Sequence, residues 1–162
     1  MRKKITGIFI ILWMIIIFAF SAQPAVQSSE ISGGVAYRIA EWQNHFFRSN
    51  KSKAELYRQA ESMQLIIRKG AHMGEYALLA LFLCLHLNCY AISRRRQALL
   101  AAGITAGYAA TDEIHQLFVP GRAGRFSDVC IDTLGGILGL LLWLILFQLW
   151  YKRKQYSSKK RC

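Results

Sequence analysis

The chain has no run of alternating apolar and polar residues, so no strands are expected. It has no HExxH, GxSxG or P-loop sequence, and with them go the common signatures of zinc peptidases, serine hydrolases and P-loop nucleotide enzymes. Its four cysteines show neither zinc-knuckle nor CxxC spacing, so neither a disulfide framework nor a zinc module is expected. The most informative lack is of polar residues. Ile5 to Phe20 and Leu134 to Trp150 are almost unbroken apolar runs, without the polar face that a helix on a soluble core presents.

What is there is correspondingly apolar. The 162 residues are 54% hydrophobic, and two further runs cover Ala77 to Leu87 and Ala98 to Ala110. Extended by its flanks, each run approaches the roughly 20 residues that a helix needs to cross the hydrocarbon layer. The expected fold is all-α: one integral membrane domain over residues 1–162, a four-helix bundle with spans at about 5–22, 70–92, 97–119 and 127–150.

Charge sets the expected orientation. Twelve of the 21 basic residues have no acidic companion nearby: Arg2, Lys3 and Lys4, then Arg94, Arg95 and Arg96, then the six that follow Tyr151. The other nine lie between Ala25 and Arg125, in or beside the remaining two connections, and all nine acidic residues fall in the same part of the chain, the last at Asp132. By the positive-inside rule, both termini and the triple-arginine loop are cytoplasmic. The net charge of +12 is therefore a topology signal, and no nucleic-acid partner is expected. The first span has a basic start and a small-residue end like a secretory signal, but its apolar run is slightly long, so an uncleaved helix is expected. Cys84, Cys89 and Cys130 fall in spans and Cys162 ends the chain, all four as reduced packing or terminal residues.

The long outer connection, about Gln23 to Arg68, opens with "AQPAVQSSEISGG", which predicts an irregular crossing. Beyond it Val35, Ile39, Trp42 and Phe46 recur at helical spacing, which fits an amphipathic helix on the outer interface; the polar composition fits a solvated linker equally. "KAELYRQAESMQLIIRKGAH" predicts a helix leading into the second span.

Against this background "TDEIHQLFVPGR" stands out, with carboxylates, a histidine and a glutamine inside an apolar span. Counting back from Pro120, Asp112 and Glu113 are about 10 to 12 Å deep. Glu75 and Tyr76 on the second span reach a similar level, with Lys69 and His72 above them, while on the fourth Asp128 is shallow and Asp132 about two turns in. An ionised group at the middle of a span costs about 2.5 to 3.5 kcal/mol on insertion scales. Pairing among Lys69, His72, Asp112, Glu113, Arg122, Arg125 and Asp128 offsets that cost. Lys69, His72 and Tyr76 share one helix face, and so do Asp128 and Asp132. Gly135 and Gly139 continue the latter face and allow close helix approach. A polar pocket open to the outside is expected, floored by small residues.

"FSAQPAVQSS", "RKGAHMGEYALLAL", "DEIHQLFVPGRAGRFSDV" and "DTLGGILG", in this order, resemble the VanZ-like membrane proteins across all four spans. That family takes its name from a component linked to teicoplanin resistance in Gram-positive bacteria. The resemblance implies a multi-pass protein of a bacterial cell membrane, and it assigns the functional polar residues to Lys69, His72, Tyr76, Asp112, Glu113, Gln116, Arg122 and Asp128, with Pro120 beside them. His115 and Glu75 are peripheral to that set.

Three functions fit. The pocket binds the head group of a membrane-inserted ligand, whether a membrane lipid, a lipoglycopeptide or a lipid-linked cell-wall precursor; Arg122 and Arg125 suit phosphate or carboxylate. Alternatively, the His/Asp/Glu cluster catalyses a reaction on such a precursor, with one carboxylate held by His72 as general base. The pairs His72-x-x-Glu75 and Asp112-x-x-His115 also have metal-ligand spacing, although neither a metal nor a cofactor is the favoured reading. Ion-coupled transport ranks last, because four helices are few and no inverted repeat is visible.

Overall fold

The computed structural model describes residues 1–159, with side chains through Tyr156. Cys162, together with Lys160 and Arg161 of the basic tail, lies outside the described residues. Five helices follow one another: α1 (Arg2–Ser21), α2 (Ala25–Phe47), α3 (Lys53–Leu87), α4 (Arg94–Gln116) and α5 (Phe126–Lys159). Three of them, α1, α3 and α5, are long and apolar enough to cross a membrane. The fourth expected span, α4, falls short of that standard, since its 23 residues open on three arginines and end on Asp112, Glu113, His115 and Gln116.

The central element is α3. It packs against α1, α2, α4 and α5, and α4 also meets α1 and α5. A core of Ile10, Ile17, Leu79, Ala80, Leu83, Cys84, Ala101, Ala109, Leu140 and Trp143 joins four of the helices. Its small residues have a geometric purpose. A Cβ at Gly135 would collide with the Met73 backbone, and one at Gly139 with that of Ala77, so α5 lies directly against α3.

Several boundaries differ from the expected ones. The second span stops at Leu87 rather than about 92, because Asn88 to Ser93 turns beneath Gln97, whose amide donates to the carbonyls of Leu87 and Ile92. The helix α4 ends at Gln116 rather than 119, so Asp112 lies only about one turn, roughly 6 Å, from its end.

The expected irregular crossing shrinks to the three residues between α1 and α2. Pro24 occupies the N-cap of α2, where its missing N–H costs nothing and its fixed φ of −53° precedes the helix. The Ala25 N–H donates to the Pro120 carbonyl at 3.2 Å, which ties the start of α2 to the α4–α5 loop. Serines do not break the helix here, since Ser32 donates back to the carbonyls of Ser28 and Ser29.

As the periodicity suggested, the connection holds a helix, but its packing face is not the apolar one. Ser32, Ala36 and Ala40 are buried on α3, whereas Val35, Trp42 and Phe46 are exposed. Gln64 donates to the Ser29 carbonyl and Gln59 to Gln43, so α2 and the first half of α3 form an antiparallel hairpin. The Ser52–Glu55 capping box starts α3 at the hairpin's return.

Candidate functional site

The polar residues meet where the ends of α1 and α4 reach the middle of α3 and the start of α5. Asp112 is buried, with 2% of its surface exposed, and the burial is matched by partners. The Ser21 hydroxyl donates to Asp112 Oδ2 at 2.6 Å. The Gln116 amide donates to the same oxygen at 3.2 Å and to Glu113 Oε1 at 3.1 Å. Glu113 Oε2 then accepts the Arg125 backbone N–H at 2.8 Å. Adjacent residues on a helix point about 100° apart, yet both carboxylates are buried. One turns toward α1 and the other toward the loop that leads into α5, and Gln116 bridges them.

Across from this pair, Lys69 Nζ donates to Asp128 Oδ1 at 2.6 Å, an ion pair in which each side chain is about one-third exposed. The expected charge pairing is realised at this one bridge. Arg122 does not pair with a carboxylate; its Nε donates to the Gln23 carbonyl at 3.1 Å. Arg125 contributes its backbone to Glu113 while its side chain is exposed. Burial, then the neighbouring Arg68 charge, lowers the pKa of Arg122, opposed by Asp112, Glu113 and Glu75.

Not every buried polar atom is satisfied. Among the described residues Tyr76 Oη, Asp112 Oδ1, His72 Nδ1 and Glu75 Oε2 make no well-formed hydrogen bond, although the Tyr76 hydroxyl is close enough to the Asp112 carboxylate to interact with it, and each such orphan ordinarily costs about 1 to 3 kcal/mol. His72 Nδ1 and Glu75 Oε2 approach to 3.7 Å, too long for a hydrogen bond. Asp112 lies within the electrostatic reach of His72, Glu75 and Tyr76, so these four orphans belong to one region, while Thr105 Oγ1 and His115 Nδ1 are buried without partners apart from them.

Beside it opens a cavity of about 160 Å³, walled by Arg68, Lys69, His72, Glu113, Gln116, Arg122, Arg125, Asp128 and Asp132. Of the eight expected site residues, Lys69, His72, Glu113, Gln116, Arg122 and Asp128 line it. Tyr76 and Asp112 are buried behind it. His115 is elsewhere: its ring packs on Phe18 with centroids 4.2 Å apart. The two metal-like spacings therefore do not combine, and among the described residues no group of three His, Cys, Asp or Glu side chains converges on a metal position.

Sequence reasoning missed Ser21, Tyr108 and Arg68. Ser21 had a signal, as the polar residue closing the first span at the level of Asp112. Tyr108 had none, because its hydroxyl reaches the Met14 carbonyl of α1, at 2.6 Å, through a contact invisible in its own helix.

These features define a helical membrane protein with a polar site enclosed at one end of its bundle. The VanZ/LLP1 family model matches residues 6–148, and the chain belongs to that family. Neither the curated proteins nor the solved structures provide a match.

Proposed function

We propose that the protein crosses the cell membrane four times with both termini in the cytoplasm, and that its polar cavity opens to the outer leaflet, where it engages the head of a lipophilic ligand. The contribution is to glycopeptide resistance, against teicoplanin above all, or to the upkeep of the cell envelope. The observation that carries this reading is the convergence of Lys69, His72, Arg122 and Asp128 on one cavity, at the bundle end opposite the triple-arginine loop. Two features support α4 as the fourth span. Its 23 residues extend about 34 Å, and Gln97 to Thr111 carries no charge. With the arginines of Arg94 to Arg96 inside, the cavity faces out.

Teicoplanin carries an acyl chain and vancomycin does not. Each buried CH₂ contributes roughly 0.8 kcal/mol, which concentrates an acylated drug at the level of the cavity. Expression in a susceptible Gram-positive host is expected to raise the teicoplanin concentration needed for inhibition, and that of vancomycin less. An unchanged response to teicoplanin, with the protein present in the membrane, refutes the resistance reading.

The second reading is an enzyme acting on a lipid-linked cell-wall precursor. It is favoured by Asp112, whose Oδ2 is fixed by two donors while Oδ1 is unpartnered, an arrangement suited to a general base. Equal protection against both drugs, accompanied by an altered precursor pool, supports this second reading over the first.

A further inference from the structure

A second cavity, of about 250 Å³, adjoins the polar one. Ile31 and Val35 of α2 and Ile67 and Ala71 of α3 form its sides, and Phe20 closes one edge. It ends at Arg68, His72 and Arg122, and these same three residues wall the polar cavity, so the two share a boundary. Ile31 and Val35 are 49% and 44% exposed, which leaves the groove open along α2. It is mostly apolar, with Gln23, Ser28 and Ser32 also on its wall, and at its end Arg68 and Arg122 share it with His72 and Glu75.

The cationic end is unpaired. Among the described residues the Arg68 guanidinium makes no hydrogen bond or ion pair, and Arg122 uses only Nε, on a neutral carbonyl. Each guanidinium has five N–H donors in a planar fork. Two of them half-buried beside one boundary repel each other, and the carboxylates that offset Arg122, namely Asp112, Glu113 and Glu75, act from beyond ion-pair distance. Glu75, the carboxylate that lines the groove, is instead nearest His72. A tetrahedral anion satisfies both forks through charge-assisted bonds.

We propose that Arg68 and Arg122 form a receptor for the phosphate of a membrane lipid, whose acyl chain lies in the groove of Ile31, Val35 and Ile67. This rests on the reading of the region as a site for a lipophilic ligand and narrows that ligand to a phosphate-bearing amphiphile. Charge complementarity selects the occupant: the groove takes the chain, and the two arginines take the head.

The test is titration of the purified full-length protein in detergent with didecanoyl phosphatidic acid, read by native mass spectrometry. Parallel titrations use didecanoylglycerol and inorganic phosphate. Phosphatidic acid is expected to bind at least roughly tenfold more tightly than either, since loss of a charge-assisted bond or of chain burial each amounts to about that factor. Arg68→Gln, which removes the fork, and Val35→Asp, which makes the groove polar, are each expected to weaken it roughly tenfold. Arg58→Gln, an exposed charge on the same helix, is expected to leave it unchanged. If Arg68→Gln loses its helical circular dichroism, Arg68→Lys replaces it, with intermediate affinity expected.

Equal binding of didecanoylglycerol overturns the phosphate receptor. Equal binding of inorganic phosphate, insensitive to Val35→Asp, makes the site one for free anions and overturns the lipid. Phosphatidic acid binding that is absent, or indifferent to Arg68, overturns the proposal outright. Specific binding in a protein that leaves teicoplanin sensitivity unchanged upholds the receptor and refutes the resistance reading alone.

Discussion

The Ser21 hydroxyl donates to Asp112 Oδ2 across 91 positions of sequence, so the last residue of α1 directly stabilises a buried carboxylate of the site. Tyr108, one turn before Asp112, reaches back to the Met14 carbonyl on the same helix. With the longer bond from the Gln116 amide to Ser21 Oγ, at 3.4 Å, these bonds fix α1 against α4, two helices that otherwise meet over a short stretch. The first span is thus a structural part of the site.

Ser21→Ala is expected to lower stability by about 1 to 3 kcal/mol, because it leaves Asp112 Oδ2 with the Gln116 amide alone. Asp112→Asn in the Ser21→Ala background is expected to lose less than the two single changes together, since the residues share one interaction. Thermal unfolding of the four proteins in detergent measures the coupling; additive losses would show that the bond contributes nothing.

Much of this arrangement was legible in the sequence, and the limits have physical causes. The apolar runs marked the helices, and "KAELYRQAESMQLIIRKGAH" correctly continued into the second span. The Gly135/Gly139 step correctly implied close packing, since only glycine admits the α3 backbone at that distance. The start of α2 was misread because Pro, Ser and Gly suggest a loop, whereas Pro24 serves as the N-cap and the serines bond within the helix. The face that packs on α3 had no apolar signal, because small Ser32, Ala36 and Ala40 form it, while the apolar stripe lies open. Site residues fixed by partners on other helices, Ser21 and Tyr108, have no local periodic signature.

Gly135→Ala and Gly139→Ala are each expected to destabilise the bundle by about 1 to 3 kcal/mol or more through backbone overpacking. Gly103→Ala is expected to be neutral or slightly stabilising, because nothing lies within 4 Å of its would-be Cβ and alanine is the better helix former. The measurement is melting temperature together with membrane abundance. A Gly139→Ala protein as stable as Gly103→Ala contradicts the α3–α5 packing.

Lys69 and Asp128 join α3 to the first turn of α5 through a partly exposed bridge, for which solvent screening sets a modest scale. Lys69→Ala and Asp128→Ala are each expected to cost about 1 kcal/mol, with the double mutant near either single one. The exchanged pair, Lys69→Asp with Asp128→Lys, is expected to recover part of the loss. No recovery, with each single change intact in helicity, would assign the two residues to separate roles.

Orientation is tested by single cysteines in a background without native thiols. Positions 49 and 121, in the α2–α3 turn and the α4–α5 loop, are expected to react with an impermeant maleimide in intact cells. Position 93, beside the triple-arginine loop, is expected to react only after permeabilisation. Labelling of position 93 from outside would invert the protein and place its cavity on the cytoplasmic side.

The two histidines near the site separate local chemistry from general packing. His72 lines the cavity, while the His115 ring lies on Phe18, away from it; among the described residues the Nδ1 of each is without a hydrogen-bond partner. If the cavity acts as a receptor, His72→Ala, Glu113→Gln and Arg122→Ala are expected to abolish the phenotype conferred by expression while membrane abundance stays within about twofold, a change of roughly 0.4 kcal/mol. His115→Ala is expected to retain the phenotype and to lose stability instead, since it removes an aromatic contact of about 0.5 to 1.5 kcal/mol. Drug sensitivity and immunoblot of the same membranes read both quantities. Loss of all four proteins by degradation would reduce the cluster to a device for helix register, whereas loss of phenotype at His72 with His115 spared ties function to the cavity itself.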